Sequence, residues 1–425
     1  MRGPVASPLV VDSVRAAREL MVAVAAWILV WPLTLVVPRK TRLVAVLGRD
    51  GFSDNSKHFY ALAAGSEGLT PVFLSGQAQA RREIEAAGGT AMAHPSLRSL
   101  VCLLRCSCLV SDVSDWFSHG AYALTSGAKR VQIWHGAPLK LIELADYRER
   151  VSGMNPWWRR ALWGYKAAIG RYPLYDLVVT TSDWLTENAF RSSFRSRRFQ
   201  AFGYPRNDVL LPPPGLPPPG IPGVTQRLLE INVDTRLRGA LQEAKAAGLL
   251  CCLYAPTFRR TMRSPFDGPL DLGALSRFAV ERGIVVVLKL HPFVKQASGS
   301  GPFPNILDCE PASDIYPLLP EMDVLITDYS SIFFDFLLLD RPVVFFPYDL
   351  EDYLETDRSM YFDYQEMTPG PKCFNQPDLL NALGALRVAS GADVYAAERQ
   401  RVRTLIHDHY DGEASARLVD FCTGS

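Results

Sequence analysis

The sequence predicts an α/β protein built from two doubly wound domains, and three observations carry that prediction. Short apolar strands alternate with helical stretches along most of the 425 residues. A run that can be neither helix nor inner strand, Leu211 to Gly223 (LPPPGLPPPGIPG), interrupts the alternation near mid-chain. Beyond it the alternation restarts, and a chain of this length accommodates two ordinary cores.

Taken in order, the first element is the uncharged segment Leu20 to Val37, 18 residues flanked by Arg15 and Arg18 before it and by Arg39, Lys40 and Arg42 after it. Its length sits at the lower edge of what crosses a bilayer. No small-residue cleavage site follows, so a secretory signal is not indicated. The segment reads as a membrane-attachment helix, a short span or a monotopic insertion, with a buried core helix as the alternative. A second patch, Trp157, Trp158, Arg159, Arg160, Trp163, Tyr165, Lys166, Arg171 and Tyr172, interleaves aromatics with cations. That composition suits an anionic membrane surface and equally a half-buried helix with a charged outer face.

Strands are expected at Leu43–Leu47, Pro71–Leu74, Cys108–Ser111, Arg130–Trp134 and Leu177–Thr181, with a helix opening at Asn55-Ser56-Lys57. After the proline run, strands are expected at Leu249–Tyr254, Ile284–Leu290, Val324–Ile326 and Val343–Phe346, and helices at Leu272–Glu281 and Ile332–Leu339. The division is therefore 1–41 for membrane attachment, 42–210 for the first domain, 211–223 for the linker and 224–425 for the second domain. The last apolar helix, roughly Ala414 to Phe421, has no assigned partner.

Composition narrows the function classes. With 48% hydrophobic and 21% charged residues the chain is globular, and a net charge of +1 gives no global case for a nucleic-acid partner. The eight cysteines include no CxxC pair and no disulfide ladder, which fits a reducing cytoplasm.

Polar clusters follow the buried strands: Trp134 to Lys140, Pro256 to Arg260, His291-Pro292 and Thr327 to Ser331, with Gly203 to Asp208 closing the first domain. In a doubly wound sheet such clusters share the carboxyl end, where ligands collect. Ser330 or Ser331 can N-cap the helix after Ile326, whose first-turn N–H groups suit a phosphate. Two imidazoles, His135 and His291, with Lys140, Arg206 and Arg259 suit phosphoryl chemistry: cations neutralise nonbridging oxygens, and a histidine takes a hydroxyl proton. Neither GxxxxGK[ST] nor a strand-following GxGxxG is present. A Ser-His-Asp hydrolase would need G-x-S-x-G, also missing. His407 and His409 lack partners at ligand spacing, and Asp328, Asp335 and Asp340 are too far apart to mark a metal site.

WHGAPLK, GYPRND, LYAPTFR, LKLHPF, TDYSSIFFDF with PYDLEDY, and HDHYDGEASARLVD resemble, in order and spacing, the CDP-glycerol glycerophosphotransferases of teichoic-acid and capsule synthesis. GRDGFSDNSKHFY resembles that family's opening segment, so the similarity covers about Arg42 to Asp420. The resemblance implies a GT-B fold, a CDP-activated polyol phosphate as donor, a lipid-linked or polymer acceptor, and attachment to the cytoplasmic face of a bacterial membrane. It makes His135 and His291 the catalytic pair, and Thr257, Arg259, Thr327, Asp328, Ser330 and Ser331 donor-binding residues, with Arg206 of GYPRND as a further candidate; Lys140 is expected as a substrate contact from its charge and position alone. Ala137 stands where the family's WHGTPLK has threonine, which bears on acceptor or fine specificity. A CDP-ribitol, other CDP-alcohol or nucleotide-sugar transferase on the same scaffold is the rival enzyme. A non-catalytic, membrane-bound nucleotide-binding protein is the second rival.

Overall fold

The computed structural model describes residues 8–49, 51–117, 121–211, 223–257, 269–290, 303–356, 359–387 and 393–424, with side chains from residue 17 onward. Before the proline run the strands are β1 (Lys40–Leu47), β2 (Thr70–Ser75), β3 (Ala91–Ala93), β4 (Cys106–Ser111), β5 (Lys129–Gln132), β6 (Leu174–Tyr175), β7 (Leu177–Val179), β8 (Arg195–Ser196) and β9 (Phe199–Gln200). β6 and β8 form a separate parallel pair, and the other seven make one parallel sheet in the order β3-β2-β1-β4-β5-β7-β9. After it come β10 (Leu250–Tyr254), β11 (Ile284–Leu288), β12 (Ile306–Asp308), β13 (Val324–Thr327) and β14 (Val343–Phe345), in the order β12-β11-β10-β13-β14. The apolar runs sit here because helices cover both faces: Val44 to Val46, Ile284 to Leu288 and Val324 to Ile326 are all buried.

Each sheet steps outward from its first strand and then jumps back, which creates a switch point between β1 and β4 and another between β10 and β13. The loops leaving those strands carry Arg49, Asp112, Thr257 and the Asp328–Ser331 turn. Fold topology thus gathers residues that are far apart in sequence.

Three segments differ from expectation or resolve an alternative. The helix after β13 runs Ile332–Phe336 and tightens into a 3-10 turn, Leu337–Leu339, which Asp340 ends at φ 52°. The segment Ala17–Val36 has mean hydropathy 2.0 and is only 6% buried, so it is not a core helix. It rests on the first domain through the Trp31 indole N–H donating to Ser126 (3.2 Å), the Tyr165 hydroxyl donating to Glu19 (2.6 Å) and an edge contact of Trp27 on Tyr122.

The terminal helix, Ala414–Thr423, crosses back to the first sheet, where Lys129 donates to the Phe421 carbonyl (3.0 Å) and the Cys108 and Cys422 sulfurs lie 3.5 Å apart. Asp208 caps its start, accepting from the amides of Ala414 (2.9 Å) and Ser415 (2.8 Å). Gly412, at φ 69°, makes that return possible, because a Cβ there would lie 2.1 Å from the Leu211 carbonyl oxygen. His407 donates to the Phe334 carbonyl (2.8 Å), so HDHYDG serves the crossing. Among the described residues no group of three or more His, Cys, Asp or Glu side chains is placed to hold a metal ion. The proline run from 212 to 222 lies outside the described residues.

Candidate active site

A cavity of about 1040 Å³ opens between the two sheets, lined on one side by Arg49 and Trp134 to Lys140 and on the other by Pro256, Thr257, Tyr329, Ser330 and Ser331. It extends outward past Tyr147, Lys166, Arg171 and Tyr172.

His135 is held from several directions. Its Nδ1 lies 3.0 Å from the Asp112 carbonyl oxygen, which can only accept, so Nδ1 carries the proton and Nε2 keeps its lone pair. Burial, then the nearby Arg49 cation, pushes the imidazole down to about 4, so the ring is neutral near pH 7. The ring also lies against Trp134, with centroids 3.9 Å apart.

The backbone of this loop is fixed carbonyl by carbonyl. The Asn55 amide donates to the carbonyls of Ile133 (3.2 Å) and Trp134 (3.0 Å), Arg206 to that of His135 (3.0 Å), and the Tyr204 hydroxyl to that of Gly136 (3.1 Å). Trp134 sits at φ 45°, a left-handed conformation that costs roughly 1–3 kcal/mol and persists where surrounding bonds over-determine it.

Gly136 is required twice over. It adopts φ 137°, and a Cβ there would lie 2.9 Å from an Arg206 guanidinium nitrogen and 3.0 Å from Ser331 Oγ. Gly136→Ala is expected to cost about 1–3 kcal/mol of stability, read as a lowered denaturation midpoint, and to displace His135 enough to reduce turnover.

Arg206 was expected among the substrate contacts, and the fold buries it behind the cavity wall. Its guanidinium pairs with Asp54 (2.7 Å) in the first domain and Asp335 (2.5 Å) in the second, and lies over the Tyr316 ring. Asp335 also accepts from Asn207 (2.9 Å) and the Tyr316 hydroxyl (2.7 Å). Burial alone would raise the Asp54 carboxyl, but Arg206 holds it below the ordinary range. A second buried pair joins the domains where Lys57 meets Asp314 (2.8 Å), with His58 3.2 Å from the same oxygen.

The second-domain residues divide by depth. Thr327 donates to the Ala255 carbonyl (2.7 Å), and the Asp328 carboxylate accepts from the amides of Thr257 (2.8 Å) and Tyr329 (2.5 Å). Both are buried, and they shape the wall on which Thr257, Ser330 and Ser331 are presented. The expected side-chain cap does not form: Ser331 has helical angles (φ −67°, ψ −6°), whereas a capping hydroxyl needs an extended residue. Lys140 lines the cavity, donates to the Tyr353 hydroxyl and lies 4.7 Å from the centre of that ring. His291 and Arg259 lie outside the described residues. Sequence reasoning missed Asn55, Asp112, Tyr204, Tyr316 and Asp335 as supports of the site. Only the crowding of polar residues in GRDGFSDN and GYPRND hinted at Asn55 and Tyr204; Asp112, Tyr316 and Asp335 carried no such signal.

The sequence pattern of the family described as CDP-Glycerol:Poly(glycerophosphate) glycerophosphotransferase matches residues 29–214 and 225–424. The chain belongs to that family. Among its glycerophosphotransferase relatives, a teichoic acid glycerol-phosphate transferase of Staphylococcus aureus is 32% identical over 301 residues, 68% of this chain and 69% of its own length. A teichoic acid ribitol-phosphate primase of Bacillus spizizenii is 34% identical over 171 residues, 40% of this chain and 42% of its own. In three dimensions the chain superposes on a variant of the wall teichoic acid polymerase TagF with a TM-score of 0.68 at 22% identity, covering 97% of this chain and 95% of that one. The calicheamicin glycosyltransferase CalG4 superposes with a TM-score of 0.51 at 12% identity, over 90% of this chain and 98% of that one. The fold is therefore GT-B, with an apolar N-terminal helix as a candidate for membrane association.

Proposed function

We propose that this glycerophosphotransferase moves glycerol phosphate from CDP-glycerol to a hydroxyl of a membrane-linked acceptor in teichoic-acid or similar cell-surface polymer synthesis. The observation that carries the reading is the neutral His135, its Nε2 lone pair preserved by the Asp112 carbonyl, on a cavity whose far wall is Thr257, Tyr329, Ser330 and Ser331.

The acceptor oxygen attacks the glycerol-bearing phosphorus, the bond from that phosphorus to the CMP oxygen breaks, and His135 Nε2 takes the hydroxyl proton. Thr257, Ser330 and Ser331 hold the diphosphate. Lys140 and Arg259 supply positive charge, and His291 stabilises the transition state or protonates departing CMP. Thr327 and Asp328 act behind this wall by fixing its shape, and Arg206 by holding the His135 loop. In this reading residues 42–210 form the acceptor side and 224–425 the donor side, and the Ala17–Val36 helix attaches the protein to the cytoplasmic face of the membrane.

A ribitol donor is the second reading, favoured by the match to the ribitol-phosphate primase. The full chain in membranes, given lipid-linked acceptor, is expected to release CMP from CDP-glycerol faster than from CDP-ribitol. The reverse order would replace the donor, and nucleotide binding without CMP release from either would exclude the enzyme. His291→Ala is expected to lower CMP release by about 100-fold or more while the denaturation midpoint stays in place.

A further inference from the structure

A second depression runs along the helix Leu97–Arg105, from Lys40 at the start of β1 to Met92 of β3, and shares no lining residue with the active-site cavity. It has a volume of about 430 Å³. Its floor is apolar, formed by Leu43 and Met92 with Leu97 and Val101 of the helix Leu97–Arg105. Leu97 is 79% and Val101 45% exposed, an outward apolar pair one helical turn apart on a helix that also buries Leu103 and Leu104. The rim is cationic: Lys40, Arg98 and Arg105 all line it, and among the described residues no carboxylate does. The buried Arg105 Nε has no hydrogen-bond partner, and none of the three cations carries an ion pair among the described residues.

Lys40, on the rim of the depression, follows closely on the end of the exposed apolar helix at Val36. Arg39, between that helix and Lys40, donates to the carbonyls of Leu103 (3.3 Å) and Cys106 (2.7 Å) on one side and of Leu124 (3.0 Å) and Ser126 on the other. Ser126 is the residue that Trp31 grips. One guanidinium thus ties the exit of the apolar segment to the back of the groove.

We propose that this groove binds an anionic phospholipid of the bilayer, with Lys40, Arg98 and Arg105 on the phosphate and Leu97 and Val101 against the acyl chain. Apolar side chains flanked by arginine and lysine form the pattern of an interfacial helix, and each cation near an anionic leaflet contributes about 1 kcal/mol, roughly a five-fold gain in affinity. The groove rests on the membrane attachment proposed above, and it adds a lipid preference to the apolar insertion of that helix.

Flotation of the full chain with phosphatidylcholine vesicles, and with vesicles containing 30 mol% phosphatidylglycerol, separates the two ideas. Wild type is expected on both, more tightly on the anionic ones. Arg98→Gln/Arg105→Gln should lose about 25-fold on anionic vesicles and nothing on neutral ones, with an unchanged denaturation midpoint because Arg98 is exposed and both residues border the groove. Equal binding of wild type to both vesicles overturns the groove and spares the membrane attachment. Binding to neither overturns both. An unaltered anionic preference in the double variant overturns the groove. So does millimolar inorganic phosphate that abolishes the preference at constant ionic strength, since it would make a free phosphate the occupant.

Discussion

Replacing His135 by alanine is expected to slow CMP release by about 10²–10⁴-fold, the usual weight of a positioned general base, with the denaturation midpoint nearly unchanged. The fold tolerates the loss because the loop is held through its carbonyls, by Asn55, Arg206 and Tyr204, and the imidazole contributes one bond to Asp112. Near-normal CMP release from purified His135→Ala would remove His135 from the mechanism.

The pH dependence sharpens this test. In the free enzyme burial, then Arg49, lowers the imidazole to about 4, so the acidic limb of kcat/KM should fall near that value. A bound diphosphate favours the imidazolium, so the limb of kcat should lie higher. Stability should move as well: between pH 6.5 and about 4 the unfolded chain takes up the proton and the folded chain does not, so His135 makes the fold less stable as pH falls through that window. His135→Asn should remove this contribution along with the acidic limb.

Much of the fold was legible because parallel strands buried on both faces are written as continuous apolar runs. VVVL and VLI, short, β-branched and bounded by turn residues, read as strands rather than as helix segments. The edge strands Ala91–Ala93, Phe199–Gln200 and Ile306–Asp308 escaped, since two or three residues paired on one side need no apolar run. The site was half legible for a related reason. Residues that meet the cavity, His135, Lys140, Thr257, Ser330 and Ser331, follow directly from strand ends. Whether a polar residue faces the ligand or a partner beneath it depends on contacts across the domains, and Arg206, Thr327 and Asp328 turned inward. Asp335 gave no sign of its role, because a carboxylate in a phenylalanine-rich helix makes sense only beside the guanidinium that neutralises it.

That pairing yields the largest expected stability effect. Arg206→Ala should destabilise the protein by about 3–5 kcal/mol, because it leaves Asp54 and Asp335 without their countercharge in a buried interface. Arg206→Lys should recover only part, since one ammonium cannot reach both carboxylates and the His135 carbonyl in the geometry of the planar fork. Asp335→Asn keeps the shape but removes the charge, and in the same background Arg206→Ala should cost less than it does alone. Urea midpoints across this cycle measure the coupling, and an Arg206→Ala variant within 1 kcal/mol of wild type would refute it. Turnover below the unfolding range should also fall in Arg206→Ala, because the cluster spans the carbonyl behind His135 and the helix behind Ser331. An ion pair that served stability alone would leave kcat intact there. Loss of kcat in the folded variant would instead identify the cluster as the clasp that sets the distance between the base and the donor wall.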